Sequence, residues 1–129
     1  MSIELDICIP VKNRLGFWHQ GQWRYLLPRT LESIRSVQAA LPGVYLRTYI
    51  SDFHSDDADV EAVCQEVLGS EVPCIIHKAP PPFSRGGGLK RAWSLGHAPY
   101  VFLLDADMTF DESVIRHAWE HLTMNRAVF

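Results

Sequence analysis

Apolar segments of strand length alternate along this chain with segments of helical period, and no other feature restricts the fold as strongly. The strand-length runs are residues 5–9, 44–50, 72–76 and 100–104. Between them, apolar residues recur three or four positions apart, as in Leu31, Ile34, Val37 and Leu41. Strands separated by helices are typical of βαβ units, in which helices cover both faces of a parallel sheet. The pattern therefore predicts an α/β fold with an open parallel sheet.

Prolines, glycines and short polar side chains predict where the first elements begin and end. Pro10 has no amide hydrogen and is expected to stop the first strand, whereas Pro28 suits the first position of a helix. Asp56 or Asp57 is expected to cap the second helix, and Gly69 to close it.

The second half of the chain has a similar layout. Pro80–Pro82 is expected to form a stiff connector and residues 83–88 a tight loop, followed by a helix over residues 89–95. Residues 100–104 are apolar at consecutive positions, which predicts a strand buried on both faces. A fourth helix is expected to begin near residues 111–112.

Size and composition indicate one domain over residues 1–129, because the chain has 129 residues of which 47% are hydrophobic. A net charge of −3 gives no general attraction to nucleic acid or to an anionic membrane. Cys8, Cys64 and Cys74 lie in apolar stretches without metal or redox spacing, as expected for buried thiols in a reducing compartment. No apolar run approaches the length of a membrane span, so we expect a soluble cytoplasmic protein.

Polar side chains follow three of the predicted strands, where ligands of open parallel sheets collect. These residues are Lys12, Asn13, Arg14, Asp52, Asp105 and Asp107. Asp105 and Asp107 are two positions apart beyond the last strand and could ligate one cation, with Mg²⁺ or Mn²⁺ the natural choice. Such a metal would neutralise the diphosphate of a nucleotide sugar as the bond to the sugar breaks. The alternative is a pair that only caps a helix or solvates a loop.

Further candidates each have a structural alternative. Asp52 could accept hydrogen bonds from a base or a ribose, or could be a turn residue. Arg85, Lys90 and Arg91 surround a glycine run, which suits phosphate oxygens, although some of them could merely solvate a helix.

Two other patterns leave several interpretations open. His117 and His121 have helical metal-ligand spacing but more often such a pair flanks an apolar face. Residues 17–25 are rich in aromatic side chains that could stack on a ligand, form a packing flap or contact another subunit.

In this order along the chain, these motifs resemble the nucleotide-binding half of a family 2 glycosyltransferase with the GT-A fold. The matching segments are Pro10–Arg14, Leu27–Ser33, Ser51–Asp56, Gly86–Lys90 and Leu104–Asp107. The sequence departs from the family pattern at Ser51, where an Asp is usual, and at Lys90, where an Asn is usual. The loop after the first strand is also longer and more aromatic than the family's.

The resemblance implies a Rossmann-like sheet of strand order 3-2-1-4 that binds a UDP- or GDP-linked sugar. The implied nucleotide-sugar ligands are Pro10, Lys12, Asn13, Arg14, Asp52, Arg85, Lys90 and Asp105, and the implied metal ligands are Asp105 and Asp107. In the family, the acceptor pocket and the catalytic base come from a second half after the DxD strand. No catalytic base is therefore assigned here, the acceptor is unknown, and the domain is expected to be incomplete relative to the family fold.

Two rival interpretations remain. Asp105 to Thr109 also resembles the DxDxT nucleophile motif of haloacid dehalogenase-like phosphatases. Alternatively, the chain is a non-catalytic half domain that binds nucleotide or mediates assembly. A half domain should leave the last strand as an unpaired apolar edge, which predicts a homo-oligomer that covers it.

Overall fold

The computed structural model describes residues 3–122. The elements in chain order are β1 (Ile3–Val11), β2 (Gly16–His19), β3 (Gln22–Tyr25), α1 (Leu27–Ala40), β4 (Val44–Asp52), α2 (Val60–Leu68), β5 (Cys74–Lys78), α3 (Arg85–Leu95), β6 (Tyr100–Leu103) and α4 (Glu112–Leu122). Four strands form a parallel sheet in the order β5-β4-β1-β6. Because β2 and β3 lie outside this sheet, its order is the predicted 3-2-1-4.

Helices cover both faces of the sheet, as predicted. On one face, Ile7 and Ile50 belong to a core cluster with residues of α1 and α2 such as Ile34 and Leu68. On the other face, Cys8 and Tyr49 pack with Leu89 and Ala92 of α3. The fold is therefore an α/β layered structure in which β1 and β4 are the central strands.

The sequence predicts that the first strand stops at Pro10. In the structure, β1 continues to Val11. Val11 accepts a hydrogen bond from the Phe53 amide, on the β4 side of β1. Pro10 is one residue earlier and so faces the opposite side, where β6 pairs only with residues 5–8. A missing amide hydrogen at that position costs no hydrogen bond of the sheet, and the strand tolerates proline.

The strand predicted at residues 100–104 is shorter and more exposed than expected. β6 ends at Leu103, its residues are partly buried or exposed, and the Leu103 side chain is 50% exposed. In the part of the chain that the structure describes, β6 pairs only with β1. Its continuous apolar sequence therefore belongs to an edge strand, not to a strand buried on both faces.

The glycine run predicted to be a loop instead forms the first turn of α3, which begins at Arg85 rather than Leu89. The Ser84 side chain accepts a hydrogen bond from the Gly87 amide and caps this helix. A Cβ atom at Gly88 would lie 2.8 Å from both Phe53 and Pro10. Glycine at this position therefore allows α3 to pack closely on the ends of β1 and β4.

Two other boundaries differ from the prediction by about two residues. Asp59, not Asp56 or Asp57, caps α2 by accepting a hydrogen bond from the Ala62 amide. β5 runs from Cys74 to Lys78 rather than from residue 72, because Pro73 has no amide hydrogen for the ladder. Gly69 closes α2 at a positive φ of 55°, as predicted.

The aromatic segment after β1 forms a β-hairpin of β2 and β3. Gln20 and Gly21 make its two-residue turn, with φ values of 50° and 74°, which is typical of a tight hairpin turn. Trp18 pairs with Trp23 across the strands, and the Trp18 side chain is 71% exposed. The hairpin therefore presents aromatic rings to solvent, with Phe17 46% and Tyr25 53% exposed.

The sequence predicts buried thiols and no membrane-spanning segment. Cys8 and Cys64 are buried, whereas Cys74 is only partly buried. Burial, together with the nearby Asp6, raises the pKa of the Cys8 thiol to about 12. None of the helices within residues 3–122 has the length and apolarity that a transmembrane helix requires.

An ion pair joins the ends of β4 and β5. The Lys78 ammonium lies 2.6 Å from the Asp52 carboxylate, whose side chain is fully buried. Burial alone raises the pKa of Asp52, but hydrogen bonds from Lys78 and Ser55 outweigh burial and lower this pKa below its ordinary value. The same contact raises the pKa of Lys78.

The close packing at Gly88 predicts opposite effects of alanine at two neighbouring glycines. Gly88→Ala should lower the free energy of unfolding by about 1–3 kcal/mol, because the added methyl group overpacks the contact with Phe53 and Pro10. A Cβ atom at Gly86 meets nothing within 4 Å, so Gly86→Ala should raise stability by about 0.5 kcal/mol through its helix propensity. Urea denaturation of both variants tests this, and equal effects would contradict the packing role of Gly88.

The Asp52–Lys78 pair predicts a pH-dependent loss of stability in Lys78→Met. Because the pKa of Asp52 is lowered and that of Lys78 is raised, the pair stabilises the fold between about pH 4 and pH 10. Lys78→Met should lower the free energy of unfolding at pH 7 by about 1–3 kcal/mol, because it leaves a buried carboxylate without its cation. The difference from wild type should shrink as the pH falls and Asp52 becomes protonated.

The exposed pair of Arg116 and Glu112 on α4 provides the control, because Arg116→Met should cost at most about 0.5 kcal/mol. Chemical denaturation between pH 3 and pH 8 measures both variants. A pH-independent loss in Lys78→Met would show that the methylene stem of Lys78, not its charge, stabilises the fold.

Candidate functional site

A cleft of about 350 Å³ opens at the carboxyl ends of β1 and β6, next to the first turn of α3. Its walls are formed by Pro10, Lys12, Arg14, Phe83, Arg85, Asp105, Ala106 and Asp107. Most of these side chains are charged, although the chain as a whole is close to neutral. The cleft lies at the edge of a parallel sheet where ligands are commonly bound.

Alternation of side chains brings Asp105 and Asp107 to the same side of the chain. Leu104 and Ala106 are buried, at 5% and 4% exposure. The side chains of Asp105 and Asp107, which alternate with them, therefore point outward. The segment is fixed by two hydrogen bonds: the Leu104 amide donates to Cys8, and the Thr30 hydroxyl donates to the Ala106 carbonyl oxygen. Both carboxylates consequently line the cleft.

The two carboxylates differ in their partners. The Arg85 Nε atom donates to Asp105 Oδ1 at 2.6 Å, in a contact where both side chains are partly exposed. Asp107 is exposed and has no hydrogen-bond or ion-pair partner within residues 3–122. Asp107 is therefore the carboxylate that is free to take a new ligand.

The loop after β1 contributes two further cations to the cleft. Lys12 donates to the His54 carbonyl oxygen at 2.8 Å and lies 3.3 Å from the Asp56 carboxylate. Arg14 donates to the carbonyl oxygens of Lys12 and Asn13. The Arg14 guanidinium therefore has no carboxylate partner among the described residues.

Three of the predicted binding residues lie outside the cleft walls. Asn13, at a positive φ of 51°, ties two loops together. Its side-chain oxygen accepts a hydrogen bond from the Asp56 backbone amide, and its backbone amide donates to the Ser55 hydroxyl. Asp52 is buried against Lys78, and Lys90 is exposed on α3. Their roles in binding stay predictions.

Sequence reasoning missed two residues that shape the cleft. Phe83 lines the cleft and makes an edge contact with Phe53, with ring centroids 5.1 Å apart. Thr30 is buried under the cleft, where its hydroxyl holds the Ala106 carbonyl. Thr30 was visible only as part of the Leu27–Ser33 motif, and nothing in the sequence separates Phe83 from other loop aromatics.

The donor set fits Mg²⁺ or Mn²⁺ if a ligand supplies the remaining oxygens. No cluster of three or more His, Cys, Asp or Glu side chains suited to a metal occurs in residues 3–122. Asp105 and Asp107 offer carboxylate oxygens, and Mg²⁺ is commonly held by one or two carboxylates together with substrate phosphates and water. The His117 and His121 rings contact each other at 4.8 Å without belonging to such a cluster.

No protein-family profile and no curated protein matches the sequence. Solved structures with a similar fold include S. aureus TarS, residues 1–349, with a TM-score of 0.65 and 13% identity over 96% of this chain. A crystal structure of the same TarS segment in complex with UDP has a TM-score of 0.64 and 12% identity over 95% of this chain. The chain spans about a third of the length of these structures, 33% and 32% respectively. At this identity the likeness is one of fold: the chain shares a Rossmann-like α/β fold with the TarS structures.

Proposed function

We propose that this chain is a glycosyltransferase-like domain that binds a nucleotide-diphosphate sugar. The observation that carries the proposal is the meeting of Lys12, Arg14 and Arg85 with Asp105 and Asp107 in one cleft. Three cations suit the oxygens of a diphosphate, and two carboxylates suit a divalent cation. The TarS structure in complex with UDP supports UDP as the first nucleotide to test, with GDP as the alternative.

The basic residues of the cleft would bind the diphosphate. Arg14 is the best placed, because its guanidinium contacts only backbone carbonyls among the described residues. The first turn of α3 adds backbone N–H groups and the positive end of a helix dipole at the same wall. Together these groups would neutralise a leaving diphosphate.

The apolar part of the cleft would accommodate the rest of the donor. Pro10 and Phe83 form this part of the wall, and the Phe83 ring is 47% exposed and available for stacking. Asp52 supports a direct nucleoside contact less well than the family pattern implies, because its carboxylate is buried and already paired with Lys78. Lys90 and Asn13 do not line the cleft, so they would affect donor binding only through neighbouring residues.

Asp105 and Asp107 would hold Mg²⁺ or Mn²⁺. When bound, the cation would supply positive charge to the diphosphate as it leaves the sugar. Asp107 would bind the cation directly, since its carboxylate is exposed in the cleft. Asp105 is paired with Arg85 through Oδ1, so the cation would compete with that arginine for the carboxylate.

The wider form of the proposal includes transfer of the sugar to an acceptor. The chain spans 33% of the first TarS structure. Its acceptor pocket and catalytic base are not assigned. The narrower alternative is a domain that binds a nucleotide without turnover. Both alternatives require the same binding site, so nucleotide binding is tested first.

Removal of the Asp107 carboxylate should weaken metal-dependent nucleotide binding. Asp107→Asn should weaken UDP binding in the presence of Mn²⁺ by about 100-fold, because a charged metal ligand contributes several kcal/mol. Asp111→Asn is a matched control: Asp111 is also exposed, but it hydrogen-bonds Ser113 at the start of α4 and does not line the cleft. Calorimetric titration with UDP and GDP, with and without Mn²⁺, measures each variant.

If the wild-type chain binds neither nucleotide with any divalent cation, the proposed site is wrong. Equal losses in Asp107→Asn and Asp111→Asn would indicate a general charge effect. Where binding is found, hydrolysis or transfer of a UDP-linked sugar supports an enzyme, and binding without turnover supports the binding domain.

We also propose that a second copy of the chain covers the free edge of β6. Within the described residues this edge is unpaired, and Leu103 on it is half exposed. Multi-angle light scattering at micromolar concentration should give the mass of a dimer or larger oligomer, and Leu103→Lys should shift it toward the monomer. A monomeric wild-type mass would contradict this proposal.

A further inference from the structure

The contact between Arg85 and Asp105 places a cation on one of the two carboxylates proposed to hold a metal. Arg85 Nε lies 2.6 Å from Asp105 Oδ1, and both residues line the cleft. Arg85 is the first residue of α3, so its backbone is held by a capped helix while its side chain reaches across to the end of β6. The ion pair is 57% and 41% exposed at its two side chains, which leaves it open to exchange with other ions.

This ion pair makes the cleft a poor metal site while no ligand is bound. Of the two carboxylates, only Asp107 is without a charged partner in residues 3–122. Arg85 contacts only Oδ1 of Asp105, so a divalent cation that uses both carboxylates would either displace Arg85 or share Asp105 with it. In both cases the cation lies near the guanidinium, and like charges at such a distance repel.

A diphosphate removes this obstacle. Its oxygens offer the guanidinium a bidentate anionic partner, which is the geometry that arginine binds best. Arg85 could therefore exchange Asp105 for phosphate without losing its counter-charge. The exchange frees Asp105 at the moment when phosphate oxygens also become available to the cation.

The other cations of the cleft are not placed to do this. Lys12 contacts the His54 carbonyl oxygen and Asp56, and Arg14 contacts backbone carbonyl oxygens. Neither contacts Asp105 or Asp107 in the described structure. Among the described cleft cations, Arg85 alone contacts a proposed metal ligand, and it alone would exchange that ligand for a phosphate group.

We infer that Arg85 makes metal binding at Asp105 and Asp107 depend on a diphosphate, by holding Asp105 until phosphate oxygens replace it as the partner of the guanidinium. This inference rests on the proposed nucleotide-sugar site and assigns Arg85 a specific part in it. The site then binds cation and nucleotide diphosphate as a coupled pair and binds either one alone weakly. By linkage, each ligand strengthens the binding of the other by the same factor.

The test measures Mn²⁺ binding with and without UDP in two variants of α3. In wild type, saturating UDP should tighten Mn²⁺ binding by at least about 10-fold. Arg85→Met should tighten Mn²⁺ binding in the absence of UDP by about 5- to 10-fold and reduce the coupling with UDP by a similar factor. Electron paramagnetic resonance of free Mn²⁺ and calorimetric titration report these affinities without requiring turnover.

Arg91→Met is the matched control, because it removes the same charge from an exposed position of the same helix, outside the cleft walls. It should leave both Mn²⁺ affinities at the wild-type value. Circular dichroism should show both variants folded, since neither arginine is buried.

The outcomes separate this inference from the function on which it rests. If wild type binds UDP with Mn²⁺ but Arg85→Met leaves the affinity for Mn²⁺ alone unchanged, the inference is wrong and the nucleotide site stands. Equal changes in Arg85→Met and Arg91→Met would reduce the effect to net charge and also overturn the inference. If wild type binds neither Mn²⁺ nor UDP under any of these conditions, the proposed function itself fails.

Discussion

The burial of β1 is the constraint on which the rest of the structure depends. Every residue from Leu5 to Val11 is buried, and the strand pairs with β4 on one side and β6 on the other. A strand in this position exposes no polar side chain from Leu5 to Val11, and the one charged residue in this stretch, Asp6, is buried and accepts a hydrogen bond from the Ala98 amide. Because its neighbours are parallel to it, their ends meet at the same edge of the sheet. The cleft is a consequence of this geometry.

The same constraint explains how a short edge strand can present two carboxylates. β6 pairs over only four residues with β1, and the connection that leads into it is held by Asp6, whose carboxylate accepts a hydrogen bond from the Ala98 amide at 2.9 Å. A side chain at Gly96 would lie 2.1 Å from that carboxylate, so glycine is required at this position. At the other end of the strand, Thr30 holds Ala106. Anchored at both ends, β6 sets Asp105 and Asp107 at the cleft although its own residues are only partly buried or exposed.

Sequence patterns predicted the features that depend on periodicity. They did not predict the element boundaries and side-chain partners that depend on packing between residues far apart in the sequence. Helix faces and the position of Asp105 and Asp107 at the end of a strand follow from local patterns and from the rules of parallel sheets. The strand order was implied only by the family resemblance of the motifs. The continuation of β1 through Pro10 could not be predicted, because it depends on how far β6 extends beside it. The helical state of Gly86 to Gly88 was likewise hidden, because a glycine run is typical of loops and only Gly88 is needed for the close contact with Phe53 and Pro10. Partners such as Lys78 for Asp52 lie outside any local motif.

Burial distinguishes the two ion pairs at this end of the sheet. Asp52 and Lys78, like Asp105 and Arg85, have their charged atoms 2.6 Å apart, but the Asp52 side chain is 0% exposed and the Asp105 side chain is 41% exposed. Separating the buried pair would leave a carboxylate without water or a counter-ion, which is strongly unfavourable. The exposed pair exchanges partners at little cost, because water screens both charges. Two contacts of the same length therefore serve different purposes: the first holds β4 to β5, and the second is suited to give way to a ligand.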